Sequence, residues 1–157
     1  MTLKGKQLEF LPSLVTTWNI WRTKHPATTV LTGVRAHGLM GAFLLAGNLK
    51  RYGLSVGQGR KVKLYPFETL KEKVVIHDTF DGKKIVIVFD APSATAAAFQ
   101  REDLEFFWKE GTLKDKSGAS WDFLTGTSMD KTLKPLAATP WLIERWHTFY
   151  PQAEVYR

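Results

Sequence analysis

Apolar and polar positions alternate over Lys61–Tyr65, the period of a half-buried strand, and the apolar runs Val74-Val75-Ile76 and Ile85–Phe89 read as two further strands. Asp81-Gly82 lies between the last two runs and supplies the positive φ that a tight primed turn demands, so the spacing predicts a hairpin. Thr95–Phe99, Leu104–Trp108, Thr112–Lys114 and Ser120–Phe123 read as further short strands separated by polar turns, and Pro66–Lys73 as one or two helical turns. A helical stripe runs through Thr17, Trp18 and Trp21 and is closed by Pro26. A second runs through Leu142, Ile143, Trp146 and Phe149, with Thr139-Pro140 placing the proline near its first turn. Residues 33–59 hold seven of the twelve glycines and read as a short glycine-interrupted helix over 36–50 followed by a flexible loop. The pattern predicts an α+β fold, a mostly antiparallel sheet or partly open barrel with two short Trp-containing helices packed on it.

The two tryptophan stripes belong to a longer echo. Leu8, Leu11, Trp21, Thr23, Pro26 and Val30 return in step as Leu133, Leu136, Trp146, Thr148, Pro151 and Val155. So long a period indicates a duplicated strand–helix–strand unit rather than a solenoid. The chain divides on this basis into a first unit at 1–32, a Gly-rich helix and loop at 33–59, and a core at 60–157 that includes the second unit. With 157 residues, all of it reads as one domain.

Composition narrows the function classes. Hydrophobic residues at 44% with six tryptophans exclude disorder as the main state, and the lack of cysteine excludes disulfides, thiolate zinc sites and a cysteine nucleophile. No apolar run reaches the ~18 residues of a membrane-spanning helix. The start, Met1-Thr-Leu-Lys4, has no apolar stretch after it, so no secretory signal is expected. The net charge of +7 is uneven: residues 1–63 carry ten Lys and Arg against Glu9 alone. That segment could dock on an acidic partner or a second subunit, giving a homo-oligomer. Runs of Lys and Arg never exceed two, and zinc-finger, RNP-like and KH-like motifs are missing, which argues against nucleic acid.

Three blocks carry a resemblance. The first is Lys63-Leu-Tyr65-Pro66, Val75-Ile-His-Asp78-Thr-Phe-Asp-Gly82-Lys-Lys-Ile-Val86 and Ala98-Phe99-Gln-Arg101. The second is Gly111-Thr-Leu113, Asp115-Lys-Ser-Gly118-Ala-Ser-Trp121-Asp122 and Thr125-Gly126. The third is the Trp…Pro…Val unit at both ends. Together they resemble domain-of-unknown-function family 3179, over 60–157 and, as the tail of a preceding copy, over 6–31. The resemblance implies a bacterial or archaeal protein of a family that is usually exported, often in tandem units, and has no agreed biochemical role. Where many members carry a Cys-Pro-Leu-Cys-like segment this chain has Asp90-Ala-Pro-Ser93, which removes any thiol or metal role there. With a partial first unit and no signal, this chain looks like a truncated or rearranged member, and its compartment is left unassigned.

Two chemistries are open to the residues themselves. In the first, Lys63, Tyr65, Arg101 and Trp121 line a pocket between the helix units and the sheet and bind a small anionic molecule or a protein partner, with no cofactor. In the second, a small ester or lactone hydrolase uses His77 as general base, oriented by Asp78 or Asp122. Asp78 and Asp81, with Asp115 and Asp122 nearby in sequence, are hard oxygen donors that would suit Ca²⁺ or another divalent cation in that case. Against the second stands the alternation of a strand, which points His77 and Asp78 to opposite faces unless the strand bends before Asp81. A turn-capping Asp78 and an exposed His77 would meet the same pattern. None of Ser93, Ser117, Ser120 and Ser128 sits in Gly-x-Ser-x-Gly or Ser-x-x-Lys, so the common serine-hydrolase signatures are missing.

Overall fold

The computed structural model describes residues 12–30 and 48–157. Within them lie three α-helices, eleven strands and a 3-10 turn at Leu49–Arg51. Helix α1 is Trp18–Lys24, α2 is Phe67–Lys73 and α3 is Ile143–Phe149. The strands are β1 (Tyr52–Gln58), β2 (Lys61–Pro66), β3 (Val75–Phe80), β4 (Lys83–Asp90), β5 (Thr95–Gln100) and β6 (Phe106–Lys109). They continue as β7 (Thr112–Asp115), β8 (Ser120–Trp121), β9 (Lys134–Pro135), β10 (Ala138–Leu142) and β11 (Glu154–Val155). They form three sheets in the orders β10-β1-β2-β11, β3-β4-β5-β9 and β6-β7-β8, and none closes into a barrel. Every pairing is antiparallel except β11, which lies parallel to β2 with Val155 opposite Leu64. The α+β class expected from the pattern is the one adopted. Among the described residues no helix is long and apolar enough to cross a membrane.

The sheets are stacked, and the sequence of β4 shows why. Its Lys-Lys head is followed by five apolar residues, the signature of a strand buried on both faces. Ile85, Ile87 and Phe89 pack toward the first sheet with Leu54, Val56 and Tyr65. Val86 and Val88 pack the other way, with Phe106, Leu113 and Trp121 of the third sheet. The second sheet is therefore the middle layer. On the far side of the first sheet, Val62 and Leu64 of β2 receive Trp146 of α3. Helix α2 closes one end of the first core through Phe67 and Leu70, with Phe67 stacked on Phe89 at 4.8 Å. The hairpin turn between β3 and β4 falls at Asp81-Gly82, with φ of 50° and 73°.

Three expectations are corrected. The Gly-rich stretch from 53 to 58 is no loop but most of β1, a central strand of the first sheet. Gly57 has φ 103°, and a Cβ there would lie 2.7 Å from the Phe80 ring, so close approach between the first two sheets requires glycine. Pro140 is not in the first turn of α3 but in β10, an edge strand, where a missing N–H is tolerated. Only one of the two tryptophan helices is packed by its tryptophan: Trp146 is fully buried, whereas α1 buries no residue and leaves Trp18 and Trp21 exposed. The deep-seated second helix is instead α2, which contains no tryptophan. The strand expected near Leu8–Leu11 and most of the helix expected at 36–50 fall outside the described residues.

Candidate functional site

Strand β3 separates the two residues on which a hydrolytic site depends. Ile76, Asp78 and Phe80 face the first sheet, while Val75 and His77 face the third, as strand alternation requires. Asp78 meets Lys63 of β2 at 2.9 Å and accepts a hydrogen bond from the Tyr65 hydroxyl at 2.8 Å. It also accepts from the Thr79 backbone N–H. Burial pushes the Asp78 carboxyl up, but the hydrogen bonds from Lys63 and Tyr65 outweigh it, and the group lies below the ordinary aspartate value. Lys63 is buried and also pairs with Glu154 of β11 at 2.6 Å. Burial alone would lower its pKa; hydrogen bonds to Glu154 and Asp78 more than offset that and raise it. Tyr65 is pushed up by burial and by donating to Asp78, so its hydroxyl stays protonated.

On the other face, His77 Nε2 accepts the Phe106 backbone N–H at 2.9 Å, linking the second sheet to the third. Partial burial and then the Arg101 charge hold the imidazole below its ordinary pKa, which suits a neutral ring acting as acceptor. Asp122 lies elsewhere, accepting from Leu124 and Thr125 N–H groups at a turn and pairing with Lys24 of α1. The expected constellation of His77, Asp78 and Asp122 is thus not assembled: neither carboxylate hydrogen-bonds the imidazole. Asp81 pairs with Lys61 at 2.6 Å on the hairpin turn. Asp115 is buried and consumed by the Ser117 and Ala119 N–H groups and by the Trp121 indole at 2.9 Å. Among the described residues no three His, Asp or Glu side chains group so as to hold a metal, and Asp78 and Asp81 are taken up by different lysines, Lys63 and Lys61.

The pocket expected to join Lys63, Tyr65, Arg101 and Trp121 is also corrected, because these residues occupy two places. Lys63 and Tyr65 lie between the first and second sheets, beside an open cavity of about 550 Å³ at residues 153–157. Two carboxylates already compensate Lys63, so this lysine offers no free charge to an anion. Arg101 and Trp121 line a separate cleft of about 320 Å³ with Leu104, Lys131, Leu133 and Lys134. It is built where β5 ends. A tight turn with Glu102 at φ 51° carries the chain from Arg101 to Leu104, and the segment leading into β9 passes alongside.

Arg101 donates from Nη1 to the Leu104 carbonyl at 2.8 Å, and its buried Nε has no acceptor. Among the described residues no carboxylate lies within 4.0 Å of Arg101, Lys131 or Lys134. Three cations and the Glu102 carboxylate therefore surround an apolar floor of Trp121 and Leu133. The sequence reading missed Lys131 and Lys134. Their only signal is a pair of lysines bracketing Thr132-Leu133, which marks nothing without the fold.

Fold and site define a stacked, three-sheet α+β protein with a basic cleft over a buried tryptophan. No family model matches the chain, and neither a curated protein nor a solved structure matches it.

Proposed function

We propose that the chain is a binding module for a small anionic molecule with a flat apolar body, held in the cleft of Arg101, Lys131 and Lys134 over Trp121. The observation that carries this reading is the uncompensated guanidinium of Arg101, whose Nε is buried without an acceptor. A guanidinium with no carboxylate within 4.0 Å among the described residues calls for a counter-charge that these residues do not supply. A carboxylate or phosphate on the ligand would supply it by charge-assisted hydrogen bonds. The resemblance to family 3179 enters the same reading, since Arg101 closes the first motif block and Trp121 belongs to the second. The cleft lies where those blocks meet. Ester or lactone hydrolysis with His77 as base has no comparable support, because Nε2 is engaged by a backbone amide.

Phenyl phosphate and citrate are suitable probes, titrated against the ¹⁵N-labelled protein with the Trp121 indole N–H resonance as reporter. A saturable shift is expected with phenyl phosphate, and a smaller one with citrate, which lacks the apolar body. Arg101→Ala should weaken binding at least about tenfold, and Lys134→Ala less, by loss of charge-assisted contacts. No shift at millimolar probe, or unchanged affinity in Arg101→Ala, would overturn the reading.

A further inference from the structure

The two echoing segments are the same structural unit in two environments. Helices α1 and α3 each span seven residues and start at corresponding positions, Trp18 and Ile143. The residues that end them, His25 and Tyr150, have φ, ψ of −129°, 68° and −130°, 63°. His25 N–H returns to the Trp21 carbonyl at 2.8 Å, and Tyr150 N–H to that of Trp146 at 2.9 Å. The proline turns are closed alike, Thr28 N–H to His25 O at 3.0 Å and Ala153 N–H to Tyr150 O at 3.2 Å. Thr23 and Thr148 each bond the carbonyl four residues back.

The surroundings differ. Trp146 is fully buried against β2 and donates its indole N–H to Ser55 of β1 at 2.9 Å, and Val155 pairs beside Leu64 on the edge of β2. Trp21 is 40% exposed and donates to Thr28 of its own turn, and Val30 is 57% exposed and belongs to no strand. Trp18 and Val15 are exposed as well. A repeated unit of this kind cannot bury its apolar face alone, and the second copy shows what buries it.

We propose that residues 17–30 are a docking element for a second sheet of the first-sheet kind, borne by another copy of this fold whose own helix–strand unit does not fill the seat. Trp21 would enter the apolar seat and Val30 would lengthen the sheet as a parallel edge strand, as Trp146 and Val155 do within the chain. Thr29 stands where the second unit has Glu154, so the partner strand has no need of a lysine in the place of Lys63.

An acceptor for the test is the full chain carrying Trp146→Ala and Val155→Pro, which vacate the seat, and Trp21→Ala, which keeps its own first unit from filling it. Mixed with the wild-type chain, it is expected to form a one-to-one complex in sedimentation velocity. That complex should weaken at least about tenfold when the donor carries Trp21→Ala, the central aromatic anchor. A folded acceptor that does not associate, or an association indifferent to Trp21, would overturn the proposal. If the acceptor does not fold, a chimera decides, with residues 143–155 replaced one for one by the sequence of 18–30. A cooperatively folded chimera with its transplanted indole buried supports the shared seat, and an unfolded one overturns it.

Discussion

The first and last helix–turn units share helix length, end dihedrals and turn hydrogen bonds but lie in opposite environments. Trp21 and Trp146 occupy the same helical position, yet one is 40% exposed and the other fully buried. Their shared features are local: helix length, end dihedrals, turn hydrogen bonds and threonine back-bonding. What buries the second copy is supplied from a distance, by Ser55, Leu64 and Lys63 of the first sheet. The comparison teaches that this unit's conformation is written in its own residues, whereas its burial depends on a sheet being present beneath it. A short helix has little stability of its own, so the seat contributes most of what holds the second copy in place.

The largest contrast should appear on truncating the two tryptophans. Trp146→Ala empties a fully buried site and leaves Ser55 without its donor, a loss of about 3–5 kcal/mol in urea unfolding. Trp21→Ala should change stability by no more than about 0.5 kcal/mol, as an exposed residue. Equal losses would break the comparison. Next in size is Lys63→Met, which leaves Asp78 charged between the sheets without its cation and should cost about 3 kcal/mol. Glu154→Thr, which gives the second unit the residue of the first, should cost under about 1 kcal/mol, because Glu154 is 68% exposed.

Acidity and alkalinity sharpen the contrast further. The raised pKa of Lys63 means that its ion pairs stabilise the seat fully below pH 10.5 and are lost as pH rises through the higher folded value. Indole resonances should then show Trp146 loosening in alkali before Trp21 changes. The lowered pKa of Asp78 places the opposite limb in acid: its contribution is present above pH 3.8 and is lost as pH falls through the lower folded value. His77, which joins the second sheet to the third away from both units, adds a smaller effect. Its folded pKa is depressed, so the stability it contributes is present above pH 6.5 and declines below it toward the folded value. The urea midpoint should fall over that range in the wild type and stay flat in His77→Gln, which keeps an acceptor without the titration.

Much of the fold was legible where local chemistry and packing agree. Asp81-Gly82 demanded a tight turn and forms one, and the apolar run of β4 fits a strand buried on both faces. Strand β1 was not legible, because glycine at 53 and 57 reads locally as flexibility. A Cβ at Gly53 would come within 2.9 Å of the Tyr65 carbonyl, so what selects glycine is the neighbouring strand. Pro140 misled for the same reason, its tolerance depending on β10 being an edge strand. Of the candidate site, strand alternation correctly warned that His77 and Asp78 diverge. Which distant groups would meet each of them, Phe106 on one face and Lys63 with Tyr65 on the other, had no trace in spacing.

The sequence by itself determined the α+β class, the duplicated helix–turn unit and the hairpin at 81–82, because these follow from periodicity and from the backbone freedom of single residues. Only the tertiary structure decided that Lys63 is neutralised while Arg101 is not. It also decided that one tryptophan helix is seated and the other uncovered. Those outcomes turn on which charges and apolar faces are carried within a few ångströms of one another, and residues far apart in the chain carry no local record of that distance.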